Sequence, residues 1–149
     1  MSADPTLRPA TEADAEAIAR LSTELGYPAE DEAIRQRLRA ILESGNDKVF
    51  VALDSSGAVA GWLQAHASHA LESGFRVEIV GLIVSSRTRR TGVGRELVAE
   101  AERWAGSLGA QVVVVRSNVQ RNESHSFYPA LGFTVDKTQV VYRKGLGRE

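Results

Sequence analysis

The sequence contains no cysteine. Disulfides, zinc–thiolate centres and any covalent intermediate on a cysteine sulfur are therefore excluded. No apolar run approaches the ~18 residues that a membrane-spanning helix needs, and the opening segment MSADPTLRPA has no apolar core of the secretory type. Both absences lead to the expectation of a cytoplasmic protein without a membrane partner. One-sided charge is missing as well: the formal net charge is −1, which gives no overall pull toward nucleic acid or an anionic lipid surface. Repeats, linkers and low-complexity stretches are absent, so residues 1–149 are expected to form a single domain. What remains is an ordinary globular composition, 43% hydrophobic and 25% charged. A chain of this length buries roughly two-thirds of its unfolded surface.

The informative stretch is 77–108, VEIVGLIVSSRTRRTGVGRELVAEAERWAGSL. Its apolar run at 79–84 has the length and composition of a buried strand. A short polar segment with Arg87, Arg89 and Arg90 follows, and then Gly92-Val93-Gly94 opens a helical pattern. Val93, Leu97, Val98, Ala101, Trp104, Ala105 and Leu108 fall on one stripe of a helix with period 3.6.

A strand, a basic glycine-containing turn and a helix together suit the binding of phosphate. The first helical turn leaves N–H groups unpaired at the positive end of the helix dipole. Glycines at 92 and 94 take away the β-carbons that would hold an anion off those groups. The simpler reading, that they only shape a tight turn, stands beside this one. Two known phosphate loops do not fit. The P-loop requires Lys-Ser or Lys-Thr after its last glycine, and the dinucleotide fingerprint requires a third glycine where Leu97 stands. The pattern left is Arg89-x-x-Gly92-x-Gly94.

With this pattern the sequence resembles the GCN5-related N-acetyltransferases (GNAT), which transfer acetyl from acetyl-CoA to an amine. The family motif, [Arg/Gln]-x-x-Gly-x-[Gly/Ala], follows a strand ending in Val, here Leu82-Ile83-Val84. A second family motif, roughly N-x-x-A-x-x-F-Y-x-x-x-G-F, matches Asn122, Phe127-Tyr128 and Gly132-Phe133. His125 replaces the usual Ala, a departure that bears on the acceptor side rather than the coenzyme side. The resemblance implies an α/β GNAT fold, with a mixed, mostly antiparallel, twisted sheet of six to seven strands and about four helices. It implies acetyl-CoA as acyl donor, with no metal. Leu82, Ile83 and Val84 would bind pantetheine through their backbone, and an N–H near Leu82 would polarise the acetyl carbonyl. Arg89, Arg90, Thr91, Gly92, Val93, Gly94 and Arg95 would wrap the pyrophosphate, helped by Arg87 as part of an arginine cluster. Asn122 would contact the pantetheine or pyrophosphate side, or cap a short helix, or do both.

The remaining segments are read in chain order. Thr6-Leu7-Arg8 is a short strand candidate, and Thr11 with Asp14 reads as a capping box. A helix to about Leu25 directs Ala15, Ile18, Ala19 and Leu25 inward and stops at Gly26. A second helix after Pro28 directs Ile34, Leu38, Ile41 and Leu42 inward. In the family this helix pair walls the acceptor site, so Glu24, Tyr27, Glu30, Asp31 and Glu32 are candidates for choosing the amine, against the alternative of a solvated acidic face. Residues 48–53 and 58–67 read as two strands, with Gly61 marking a bulge or a close backbone approach. His66, Ser68, His69, Glu72 and Ser73 read as a polar connection. His66 and His69 are three apart, a spacing a strand does not place on one face, and no third metal ligand is evident. Val112 to Val115 read as a buried strand, and the last strands are expected at 134–135 and 139–143.

Two residues are expected to carry the chemistry. Glu78 precedes five apolar residues in the central strand, where an unpaired carboxylate is costly. Either it pairs with Arg76 or another cation at the strand mouth, or it is the general base that takes the amine proton. It stands four residues before Leu82, as the catalytic Glu does in the histone-acetylating branch of the family. Tyr128 matches the family tyrosine that protonates the departing CoA thiolate, with Phe127 as the core anchor; the alternative is that both only anchor a helix.

The function implied is acetyl-CoA-dependent N-acetylation by direct attack of a primary amine on the thioester. The segments R-S-N-V and T-Q-V-V-Y look like bacterial small-molecule members of the aminoglycoside 6'-acetyltransferase type, which points to an aminoglycoside- or polyamine-like acceptor. Two alternatives stand: a protein or peptide amine, and an acetyl-CoA-binding sensor without catalysis. No nucleic-acid partner is expected. Homodimers are common in the family, though no residue pattern here fixes one.

Overall fold

Two hydrophobic periodicities in the chain generate one sheet with helices on both faces. The computed structural model describes residues 5–88, 91–116 and 122–147, the side chains of 122–125 excepted. Two compact units divide the chain, Met1–Arg116 and Ser117–Glu149.

In the first unit, strand β1 (Thr6–Pro9) leads through a 3-10 turn (Glu12–Asp14) into α1 (Ala15–Glu24) and α2 (Asp31–Glu43). Strands β2 (Asp47–Leu53), β3 (Val59–Ala70) and β4 (Gly74–Val84) follow, then α3 (Val93–Ser107) and β5 (Val113–Val115). The sheet order is β1-β2-β3-β4-β5, antiparallel except for the parallel β4–β5 pair. The described residues thus form five strands where six to seven were expected. No helix among them is long and apolar enough to cross a membrane.

The 3-10 turn that leads into α1 is capped through Asp14, which is buried. Its carboxylate accepts the Thr11 N–H at 2.8 Å, the expected capping contact, and also accepts two hydrogen bonds from Arg8, each 2.8 Å. Arg8 belongs to β1, so one carboxylate ties the edge strand to the helix. The Arg8 hydrogen bonds hold the Asp14 carboxyl below the usual carboxylate range against the opposing effect of burial, and the Thr11 N–H adds to the lowering.

Strand alternation sorts the side chains of the sheet. On one face, Leu63, Ala65, Val77 and Ile79 are buried, as are Leu97, Val98, Ala101 and Ala105 of α3. On the other, Val49 and Val51 cluster with Ala15, Ile18 and Leu38 of the helix pair, with Ile34, Ile41 and Trp62 packed against them. The expected inward stripes hold, except that Leu42 and Leu108 are exposed at the ends of their helices.

Strands β3 and β4 form a longer hairpin than the sequence suggests. Pairing runs to Ala70↔Gly74, and the His69 and Phe75 rings lie 4.6 Å apart near the turn. The polar run His66, Ser68 and His69 is therefore strand, not loop: cross-strand partners decide the state where local polarity reads as a turn. The register shifts between Gln64 and Ala65, which oppose Gly81 and Ile79, so Val80 is an extra residue in β4.

In the second unit, α4 (Asn122–Ala130) contains Pro129 near its end. The Leu131 and Phe133 N–H groups both donate to the Tyr128 carbonyl, and Gly132 has φ of 96°. The Tyr128 ring meets Phe127 and Phe133 edge-on, with centroids 4.9 and 5.7 Å away. The strands expected at 134–135 and 139–143 are not formed. The β-branched residues Val135, Val140 and Val141 are exposed, and β propensity without a ladder partner does not make a strand.

Candidate active site

The bulge at Val80 divides β4 into two parts. Before it, Val77, Glu78 and Ile79 lie between β3 and the parallel partners Val113, Val114 and Val115. After it, residues 81–84 pair with β3 alone among the described residues. Such an edge presents a row of backbone N–H and C=O groups to whatever lies alongside. Leu82, Ile83 and Val84, three of the expected coenzyme contacts, stand on this edge, half-buried or buried, and so offer their backbone.

The chain then turns by local bonds. Ser85 N–H donates to Ala60 at 2.8 Å, Thr88 N–H to Ser85 at 3.1 Å, and Thr91 N–H to Thr88 at 3.2 Å. Gly92 caps α3 with φ of 91° and ψ of 2°, a left-handed conformation that glycine adopts without strain. A β-carbon there would meet nothing nearer than the Arg95 guanidinium at 3.5 Å, so the demand at Gly92 is conformational rather than spatial. No side chain caps the helix, and the first-turn N–H groups of Val93, Gly94 and Arg95 have no intrahelical acceptor. They point out at the positive end of the dipole, with the Arg95 guanidinium folded back over Gly92 and Arg87 exposed in the preceding turn. Arg89 and Arg90 lie outside the described residues.

Gly61 explains how this helix end sits so low on the sheet. A β-carbon at Gly61 would come within 3.1 Å of Val93 Cγ1 and the Ile83 carbonyl, and 3.3 Å of Leu97 Cδ1. The glycine gives close approach, and the bulge is there as well: Ala52 opposes Gly61 and Leu53 opposes Val59, so the β2–β3 register shifts beside it.

Glu78 projects from β4 to the face of α1 and α2, with its side chain 16% exposed. Arg116 Nη1 donates to Glu78 Oε2, so the compensating cation is Arg116, not the neighbouring Arg76. Enclosing a carboxylate to this degree is costly without such a partner. Arg116 is two residues beyond Val114, the register partner of Glu78, and alternation returns it to the same face. Next to Glu78 on β3 stands His66, whose Nδ1 is 2.9 Å from Asp47 Oδ1. Neither Arg116 nor Asp47 was singled out in the sequence. Beside them a cleft of about 200 Å³ lies between the helix pair and the sheet, lined by Ile34, Arg37, Ile41, Trp62 and Gln64 among others.

Of the acidic candidates for amine choice, Glu24 accepts a 3.1 Å hydrogen bond from Ser86, tying the end of α1 to the turn after β4. Glu32 bonds Arg35 and Gln36 on its own helix, while Glu30 and Asp31 are exposed, as is Tyr27. Asn122 begins α4, but its side chain and that of His125 lie outside the described ones. Tyr128 is half-buried in α4.

The profile of the acetyltransferase (GNAT) family matches residues 15–133. The chain belongs to that family. It is an N-acetyltransferase, and its acyl donor is acetyl-CoA. The described groups fit this ligand: an unpartnered strand edge suits the extended amide chain of pantetheine, and a glycine-led helix N-terminus suits a pyrophosphate. Among its relatives, an aminoglycoside N(6')-acetyltransferase type 1 of Stenotrophomonas maltophilia is 28% identical over 146 residues, 95% of this chain and 94% of that one. An aminoalkylphosphonate N-acetyltransferase of Salmonella typhimurium is 31% identical over 129 residues, 85% and 83% of the two chains. The structure of aminoglycoside N-acetyltransferase AAC(6')-Iy in complex with CoA has a TM-score of 0.86 at 23% identity, over 97% of each chain, a likeness of fold.

Proposed function

We propose that this GNAT enzyme acetylates a primary amine of a small molecule, aminoglycoside- or polyamine-like, by direct attack of the amine on the thioester. The names of the relatives from Stenotrophomonas maltophilia and Salmonella typhimurium support a small acceptor, and the absence of cysteine leaves no cysteine relay. In this reading Leu82, Ile83 and Val84 bind pantetheine through the open edge of β4, and an N–H near Leu82 polarises the acetyl carbonyl. Arg89, Arg90, Thr91, Gly92, Val93, Gly94 and Arg95 hold the pyrophosphate, and Asn122 assists on the pantetheine or the pyrophosphate side. Glu78 accepts the amine proton, and Tyr128 donates to the departing thiolate. The observation that carries the coenzyme site is the β4 edge, without a second strand partner beyond Val80 among the described residues and leading to a helix end opened by Gly92. One N-acetyltransferase domain, a cytoplasmic site of action and a homodimer go with this reading.

Titration with acetyl-CoA by calorimetry, followed by a CoA-release assay, tests it. The amines are aminoglycosides, polyamines, aminoalkylphosphonates and a lysine peptide. The expected result is micromolar binding and turnover of small amines only. Turnover of the peptide alone would move the acceptor to a protein amine, and binding with no turnover of any amine would make the protein a sensor.

A further inference from the structure

Three polar residues cross the sheet in one register row. Asp47 of β2 is opposite His66 of β3, and His66 is opposite Glu78 of β4. Opposed residues of antiparallel strands project to the same face, with β-carbons about 4.5–5.5 Å apart. Their side chains differ in access to solvent: Asp47 is 11% exposed and Glu78 16%, but His66 between them is 42% exposed. Asp47 Oδ1, 2.9 Å from Nδ1, accepts the proton of that nitrogen and leaves the lone pair of the neutral ring on Nε2. The other charged groups on this face, among the described residues, include Arg116, bonded to Glu78; Arg76, opposite Ser68; Arg37 of α2, which lines the cleft beside Gln64; and, farther along the sheet, Arg8, opposite Val51 and bonded to Asp14.

The stoichiometry of N-acetylation gives this row a task. An ammonium acceptor loses one proton before its nitrogen attacks the carbonyl. The C–N bond forms, the C–S bond breaks, and the second proton lost from nitrogen balances the thiolate as CoA thiol. One proton per turnover must therefore reach water, and an enclosed Glu78 is poorly placed to release it.

We infer that His66, oriented by Asp47, carries that proton from the Glu78 carboxyl to water: Nε2 accepts it, and the exposed imidazolium releases it. The inference rests on Glu78 being the base, as proposed above. His66 acts through Glu78 and is a positioning residue, not one that touches substrate. Asp47 holds its tautomer.

The test compares kcat and its pH profile for wild type, Glu78→Gln, His66→Gln, Asp47→Asn and His66→Ala with and without imidazole, with Tm and acetyl-CoA affinity measured alongside. His66→Ala and His66→Gln are expected to lower kcat about tenfold, less than the ~10²-fold or more of a direct acid–base group, at unchanged acetyl-CoA affinity. Imidazole should restore His66→Ala. Adding His66→Ala to Glu78→Gln should cost nothing more, and imidazole should then do nothing, because the two act in series. Wild-type turnover in both His66 variants would overturn the relay. So would a loss that follows Tm and ignores imidazole, since the Asp47–His66 contact would then only staple β2 to β3. If Glu78→Gln leaves the pH–rate profile unchanged, the base assignment itself fails and the relay with it.

Discussion

Strand β3 carries two interleaved sequences. Gly61, Leu63, Ala65 and Ala67 face α3 and are buried; Trp62, Gln64, His66 and Ser68 face the helix pair and are all partly exposed. The first set is small or aliphatic and packs against Leu97 and its neighbours, where each side chain is worth its buried area. The second lies on the face that also holds Glu78 and its partner Arg116. Beyond Trp62, which packs on the core under the helix pair, the proposed chemistry falls on the second side of β3 alone, so variants of the two sets should fail in different assays.

The largest expected effect is on the packing face. Leu63 is fully buried, and Leu63→Ala should lower the unfolding free energy by about 3–4 kcal/mol, read by denaturant titration. At low temperature the folded fraction should turn over at nearly the wild-type rate; a kcat that falls in step with stability would break the division. On the other face, Glu78→Gln should cut kcat about 10²-fold or more. Its stability loss should be near 1 kcal/mol, because Arg116 is more than half exposed. A large drop in Tm with little change in the pH–rate profile would instead make Glu78 a structural residue.

Asp14 sharpens the comparison, since it sits near the helix pair yet has no place in the chemistry. Asp14→Asn should cost about 2 kcal/mol at neutral pH, from the Arg8 bonds, with turnover intact. Its folded carboxyl lies below the usual range, so its stabilisation is fully present above the unfolded value near pH ~4 and is lost as pH falls through the folded one. Melting curves of wild type and variant should therefore converge in acid; a gap that stays constant down to about pH 2 would contradict the ion pair. The smallest effect is at Gly81, where a β-carbon would come within 2.8 Å of the Trp62 ring. Gly81→Ala should cost about 1 kcal/mol as the indole shifts, and should alter KM for the amine before it alters acetyl-CoA affinity.

Much of this arrangement was legible from local signals. The stripe Val93, Leu97, Val98, Ala101 and Ala105 is a property of helical spacing, and Gly92 is needed for a backbone angle that its neighbours cannot change. The same is true of the stop at Gly26, whose φ is 90°. What could not be read depended on pairing across the sheet. His66 looked like part of a polar connection because alternate polar residues in a strand resemble a loop until their partners are known. Arg116 became the partner of Glu78 only through a parallel register spanning 38 residues of sequence. The valines at 135, 140 and 141 have strand propensity, and propensity does not supply a neighbour.

Val80 has an effect on the reading frame of the strand. Strict alternation through Val80 would put Glu78 on one side with Leu82 and Val84. The one inserted residue shifts the phase, so that Glu78 shares a side with Gly81 and Ile83 instead. Deleting Val80 would close the bulge, joining Ile79 to Gly81 as their partners Ala65 and Gln64 are already joined, and Glu78 would keep its side with Gly81 and Ile83. Val80 is thus an addition that the pairing absorbs, and each half of β4 keeps its facing across it.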